Sequence, residues 1–249
     1  MHGGILHMLF RIRKLGRNKF IFTFMVLFFI ATVLQFSVFI MNRTGSGGLS
    51  TEERLKVLRQ MDIEAIEKLN SDRQYKEMAD EILSQFINDA VCFPVPISTR
   101  EPRRFVNYAD SWGYERSYGG ERSHEGTDIM ADYNVRGYYP VVSISDGIVE
   151  KIGWLELGGY RLGIRCKSGG YFYYAHLYDY AEGIKEGSQV KAGQLIGYMG
   201  DSGYSKVEGT VGNFDVHLHL GIYVTFEGEE ISVNPYHLLK KLQIIKANY

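Results

Sequence analysis

Val216-His217-Leu218-His219-Leu220 alternates apolar and imidazole side chains. In an extended strand successive side chains point to opposite faces, so His217 and His219 project together while Val216, Leu218 and Leu220 enter a core. The pattern predicts a strand of a sheet with one buried face. A rigid strand bearing two neutral imidazoles side by side suits a first-row metal such as zinc. Two ligands do not complete a site. Beyond position 50 the chain holds three further histidines, His124, His176 and His237. His124 opens His124-Glu125-Gly126-Thr127-Asp128, a spacing that lets an imidazole and a carboxylate meet one point from an extended segment, with Gly126 allowing the backbone to bend between them.

Around this strand the texture is β from about residue 98 onward. Tyr139-Pro-Val-Val-Ser-Ile, Gly147-Ile-Val-Glu-Lys-Ile, Arg161-Leu-Gly-Ile-Arg-Cys and Gly170-Tyr-Phe-Tyr-Tyr-Ala-His are short β-branched or aromatic runs separated by Asp-Gly, Gly-Gly and Ser-Gly-Gly turns. Residues 190–199 add another strand region, and 216–226 carry the histidine strand. No long helix interrupts them, so the fold class is mainly β with an antiparallel sheet. In the run ending at His176, alternation puts Phe172, Tyr174 and His176 on one face.

Composition bounds the function. The 249 residues, 45% hydrophobic and 14% aromatic, can bury one core and leave chain for an anchor and a connecting region. With 28 basic against 29 acidic residues there is no basic field to hold nucleic acid. Cys92 and Cys166 form neither a disulfide framework nor a CxxC knuckle, and two unrelated thiols are expected.

Residues 20–41, FIFTFMVLFFIATVLQFSVFIM, are uncharged, and their 22 residues match the roughly 20 needed to cross a hydrocarbon core as a helix. The run exceeds a signal-peptide apolar region and no A-x-A-like site follows it, which predicts an uncleaved transmembrane helix. Arg11, Arg13, Lys14, Arg17 and Lys19 precede it, which puts the basic N-terminus 1–19 in the cytoplasm and everything after Asn42 outside the cell membrane. A spacer and two helices follow over 42–92. Ser50 with Glu53 and Ser71 with Gln74 open these helices, and Met78, Ile82 and Phe86 are the apolar positions of the second. Residues 50–90 thus read as a helical stalk, packed on its own domain, on a second copy or on a protein partner. Phe93-Pro-Val-Pro ends it and marks the boundary of a 93–249 domain.

His124-x-x-x-Asp128, Tyr174-Ala-His176-Leu and His217-x-His219 resemble, in their order and approximate spacing, the lysostaphin-type (LytM-like) zinc endopeptidases, which cut peptide bonds in bacterial peptidoglycan. The likeness covers about residues 98–237. It includes Pro140-Val, Asp146-Gly-Ile-Val, Gly187-x-x-Val-x-x-Gly-Gln-Leu-Ile-Gly and Gly200-Asp-Ser-Gly. The resemblance implies a duplicated-hybrid-motif antiparallel sheet, one zinc ion per domain, and His124, Asp128 and His219 as its ligands. It further implies that His217 and His176 orient and deprotonate the attacking water, and that Tyr118, six residues before His124, stabilises the oxyanion. Together with the apolar 20–41 run it implies a membrane-anchored peptidoglycan endopeptidase. The alternative is a peptidoglycan-binding or interaction module, since some relatives that have lost ligands serve in that way, one of them in a sporulation channel. A carrier-type hairpin, which the 187–197 pattern also resembles, lacks the modifiable lysine. Two departures stand out: a long 204–216 approach to the histidine strand, expected to line the groove and alter substrate choice, and Leu-Gly-Ile after His219 in place of an aromatic-acidic continuation. Glu125 and Asp215 read as solvated turn residues and His237 as structural.

Overall fold

The alternation of the histidine strand persists along its whole length. In β11, His217–Phe226, the residues Leu218, Leu220, Ile222, Val224 and Phe226 are fully buried, and Val216 just before it is buried as well. The computed structural model describes residues 73–96 and 105–243. The predicted membrane span at 20–41, the spacer and the first stalk helix lie outside the described residues. Among the described residues no helix is long and apolar enough to cross a membrane.

Helix α1, Arg73–Ser84, is the second half of the predicted stalk. It is a layer of the domain rather than a free-standing element, because its apolar positions Met78 and Ile82, with Ala79, Leu83 and the following Phe86, belong to the same hydrophobic core as the sheet. Gln85 locks this packing: its Nε2 donates to the carbonyl of Thr225 at 2.7 Å and its Oε1 accepts from the Thr225 N–H at 2.9 Å. The Phe93-Pro-Val-Pro segment therefore lies inside the packed unit, and the Pro94 carbonyl accepts from the N–H of Val142. Helix α2, Tyr236–Leu242, closes the C-terminal side with Leu238, Leu239 and Leu242 in the core.

Between the helices lie β1 (Val106–Asn107), β2 (Glu115–Arg116), β3 (Arg122–Ser123), β4 (Thr127–Ala131), β5 (Pro140–Val142) and β6 (Gly147–Leu155). They continue as β7 (Gly159–Cys166), β8 (Tyr171–Tyr180), β9 (Gln189–Val190), β10 (Leu195–Met199), then β11 and β12 (Glu229–Val233). Ten strands form one sheet in the order β1-β4-β11-β8-β7-β6-β9, with β10 bridging β5 to β8 and β12 beside β11; β2 and β3 make a separate ribbon. Every pairing is antiparallel, as the hairpin spacing predicts. Glu227 and Gly228 turn β11 into β12 with φ of 51° and 85°, the doubly positive geometry of a tight hairpin.

One strand departs from simple alternation, at a place that matters. Phe172 and Tyr174 of β8 enter the core as expected. His176 does not follow them: its φ is 61°, and the β7 register passes from Leu162↔Tyr174 to Tyr160↔Leu177, so that Arg161 alone faces both Ala175 and His176. This β-bulge turns His176 onto the histidine face and returns Leu177 to the core. Both cysteines are free and buried, and burial pushes the Cys166 thiol up to about 11.

Candidate metal centre and its cleft

Antiparallel pairing sets His219 of β11 opposite Asp128 of β4, and the loop before β4 brings in His124. The ligand-type atoms of His124, Asp128 and His219 lie within 4.8 Å of one another. His124 Nε2 is 2.9 Å and His219 Nδ1 3.0 Å from the same Asp128 Oδ1, and the two imidazole nitrogens are 2.9 Å apart. Two imidazoles and a carboxylate converging on one point match the donor set of a catalytic zinc, which takes three protein ligands and leaves one position open. Burial alone would raise the Asp128 carboxyl, but hydrogen bonds to His124 and His219 and the neighbouring imidazoles outweigh it and hold the group ionised, well below the usual carboxylate range.

Backbone carbonyls set the imidazole tautomers. Nδ1 of His124 donates to the Ser111 carbonyl at 2.9 Å, which aims its Nε2 at Asp128. His176 Nδ1 donates to the Ser202 carbonyl at 2.8 Å and His217 Nδ1 to the Asp215 carbonyl at 2.7 Å. Each of these two rings therefore keeps an unprotonated Nε2. Their centroids are 4.7 Å apart, so the bulge delivers His176 beside the strand histidine. Burial lowers both imidazoles from their ordinary value, His176 well below it, with His217 and His219 adding to the His176 effect. Both are neutral at neutral pH.

The cluster lies in a cleft of about 790 Å³. One wall is Tyr204 and Phe214 from the long approach to β11, as its length predicts; the Phe214 ring stands edge-on to His176 at 4.6 Å. The other end has a tyrosine floor from Tyr171, Tyr173 and Tyr223. Glu125, expected to be a solvated turn residue, lines the cleft and accepts from the Tyr223 hydroxyl at 3.3 Å. Asp215 accepts from Asn134 Nδ2, and His237 rests against Tyr236 away from the cleft.

Tyr118, expected to stabilise the oxyanion, lies against Tyr204 of the cleft wall. Its ring stacks on Tyr204 at 4.4 Å, its hydroxyl donates to the Tyr204 carbonyl, and it does not line the cleft. It pins the ribbon of β2 and β3 to the Tyr204 wall. Sequence reasoning missed Arg116, which that ribbon carries over the cluster: its Nη2 donates to Asp128 Oδ2 at 2.7 Å, leaving Oδ1 to the imidazoles. No local pattern in Glu115-Arg116 announces this contact, which exists only through the fold.

Comparison with known proteins agrees with this geometry. The profile described as Peptidase family M23 matches residues 122–235, the stretch from β3 to the start of α2. An L-Ala–D-Glu endopeptidase of Bacillus subtilis is 45% identical over 148 residues, 59% of this chain and 42% of that protein. Lysostaphin of Staphylococcus simulans is 31% identical over 145 residues, 57% of this chain and 27% of that protein. The chain thus spans less than half the length of these relatives. Similarity is broader to a crystal structure from Ruminococcus gnavus ATCC 29149 that carries the provisional name glycyl-glycine endopeptidase lytM. There the identity is 47%, covering 84% of this chain and 79% of that one, with a TM-score of 0.64. A likeness of that breadth, sharing the stretch that holds the His-Asp-His cluster, makes this chain a member of peptidase family M23.

Proposed function

We propose that the domain is a zinc-dependent endopeptidase that hydrolyses peptide bonds in peptidoglycan stems or cross-links. The convergence of His124 Nε2, Asp128 Oδ1 and His219 Nδ1 beside two further neutral imidazoles is the observation that carries this reading. The L-Ala–D-Glu and glycyl-glycine endopeptidase activities named for relatives support peptidoglycan peptides as the substrate class.

His124, Asp128 and His219 hold the metal in this mechanism. A bound zinc ion supplies Lewis acidity toward a carbonyl oxygen and acidifies water toward neutral pH. The chain's own residues do the rest. His217 and His176 present Nε2 lone pairs at the same place, so either imidazole can take a proton from the attacking water and return it to the leaving amine. Their Nδ1–H bonds to the carbonyls of Asp215 and Ser202 keep the rings aimed and stabilise the imidazolium that forms. Arg116 holds Asp128 in orientation. The oxyanion role expected of Tyr118 belongs to the same proposal and requires its hydroxyl to exchange the Tyr204 carbonyl for the substrate oxygen.

The uncharged 20–41 segment and its basic flank support a single-pass anchor with the peptidase domain outside the membrane. The roles of the two strand histidines are tested by metal analysis beside rates on one muropeptide. His219→Ala is expected to lose zinc and activity together. His217→Ala and His176→Ala are expected to keep much of their zinc and lose about 10²–10⁴-fold in turnover. Zinc lost from the His217 variant but retained in the His219 variant reverses the assignment. Zinc-loaded protein that binds muropeptide without cleaving it would instead assign a binding module.

A further inference from the structure

The cleft contains cations that the proposed chemistry does not use, and one of them has no partner among the described residues. Arg161 lies on β7 opposite the bulge, facing Ala175 and His176, and lines the cleft. Among the described residues its guanidinium has no hydrogen-bond or ion-pair partner, and its Nη1 is a buried donor left unsatisfied. The other cleft arginines are engaged. Arg116 is on Asp128 through Nη2, although its Nε is also a buried donor without a partner, and Arg122 donates to the Tyr118 carbonyl and the Tyr204 hydroxyl. Four residues along β7, Arg165 is spent on Glu150, Glu230 and the Gly169 carbonyl. The carboxylates near this end are occupied too, Glu230 by Arg165 and Glu125 by Tyr223. An unpaired buried donor on a cation costs more than an ordinary missing hydrogen bond, and a ligand that supplies the acceptor recovers that cost.

The sheet register fixes where such a ligand would lie. Asp128 faces His219, His219 faces Ala175, and Ala175 faces Arg161, so the metal cluster and the free guanidinium stand in one row across β4, β11, β8 and β7. With neighbouring strands about 4.8 Å apart, Arg161 is rooted roughly 10 Å from the backbone of His219. The methyl of Ala175 leaves the gap between them open. A peptide lying along the row advances about 3.3 Å per residue, so the guanidinium meets a group within a few residues of the bond held at the cluster. Beneath that path the tyrosine floor is level because the backbone under it is bare: a Cβ at Gly163 would come within 1.7 Å of the Tyr171 hydroxyl, and one at Gly158 within 2.2 Å of that of Tyr173.

We propose that Arg161 is a specificity-determining residue that binds a free carboxylate of the substrate peptide, so that this site takes acidic peptides in preference to glycine-only bridges. The proposal rests on the endopeptidase reading of the same cleft and deepens it to a substrate class. It also separates the two activities named for the relatives, since a D-Glu residue offers a free carboxylate and a glycyl-glycine bridge offers none.

The test uses two otherwise identical Ala–D-Glu peptides, one with the glutamate carboxylate free and one with it as the carboxamide, and pentaglycine beside them. Binding to the full chain is measured by calorimetry and cleavage is measured separately. Wild-type protein is expected to bind the acid peptide about 10- to 100-fold more tightly than the amide, the range of a charged hydrogen bond. Arg161→Gln should abolish that preference while leaving amide affinity and zinc content unchanged, and Arg161→Lys should restore part of it. Thermal denaturation of each variant reads any loss of folding. Equal affinity of wild-type protein for acid and amide overturns the proposal, as does a preference that survives in Arg161→Gln or a variant that only loses stability. An acid preference that depends on Arg161 in protein that cleaves nothing sustains the carboxylate site and overturns the endopeptidase reading instead. Cleavage without discrimination does the reverse.

Discussion

A methyl group at position 126 would stand 2.5 Å from the His219 ring and 2.5 Å from the Leu220 carbonyl. Gly126 is thus needed for close approach between the loop before β4 and β11, beyond any freedom it gives the loop to bend. Gly126→Ala is expected to displace the His219 ring and lose zinc affinity and activity together, with a smaller effect on melting temperature. Metal content after dialysis against a fixed zinc concentration checks this, and wild-type zinc retention would count against it. His176 shows the opposite kind of surprise. Its neighbours in sequence predict a core-facing side chain, yet its left-handed backbone puts it beside His217. A non-glycine residue held there costs on the order of 1–3 kcal/mol and persists only because the surrounding structure fixes it. Alternation in a single strand cannot foresee a bulge, because the extra residue is defined by the partner strand.

Among the elements, α1 carries the clearest consequence. Its apolar positions at four-residue spacing are legible in the sequence, but whether they face a partner or the domain is not, since an amphipathic stripe states only that something covers it. Phe86, fully buried, and Ile82 pack into the core of the sheet, and Gln85 ties the end of the helix to Thr225. A fragment starting at residue 93 therefore exposes the apolar surface that α1 covers and is expected to melt well below one that starts at residue 73. Phe86→Ala in the full chain should cost about 3–5 kcal/mol, as for other buried aromatics. Chemical denaturation measures both, and equal stability of the two fragments would show that α1 is dispensable to the core. The β strands were easier to foresee than the helix contacts. Gly-containing turns and alternating aromatics mark β6, β7, β8 and β11 locally, whereas β9 and β12 are short and depend on their neighbours for definition.

For the molecule as a whole, the metal cluster ties β4 and the loop before it to β11, segments about ninety residues apart in the chain. The three ligands come together only in the folded state, so a metal that binds them stabilises that state by mass action, about 2.7 kcal/mol at a free concentration one hundred times its dissociation constant. Zinc returned to chelator-treated protein is expected to raise the melting temperature by roughly 5–10 °C for a domain of this size. His219→Ala should abolish the shift and His217→Ala should keep most of it. A shift that persists in the His219 variant would place the metal elsewhere. The sequence by itself determined the sheet, its hairpins, the strand that carries the two histidines and the residue types of the site. Those follow from side-chain alternation, turn chemistry and donor identity, which are properties of a few consecutive residues. Only the tertiary structure decided that α1 belongs to the core, that Tyr118 stacks on Tyr204, that Arg116 reaches Asp128 and that Arg161 lies unpaired in line with the cluster. Each of these is a contact between segments distant in the chain, settled by sheet register and by the competition of many side chains for one interior.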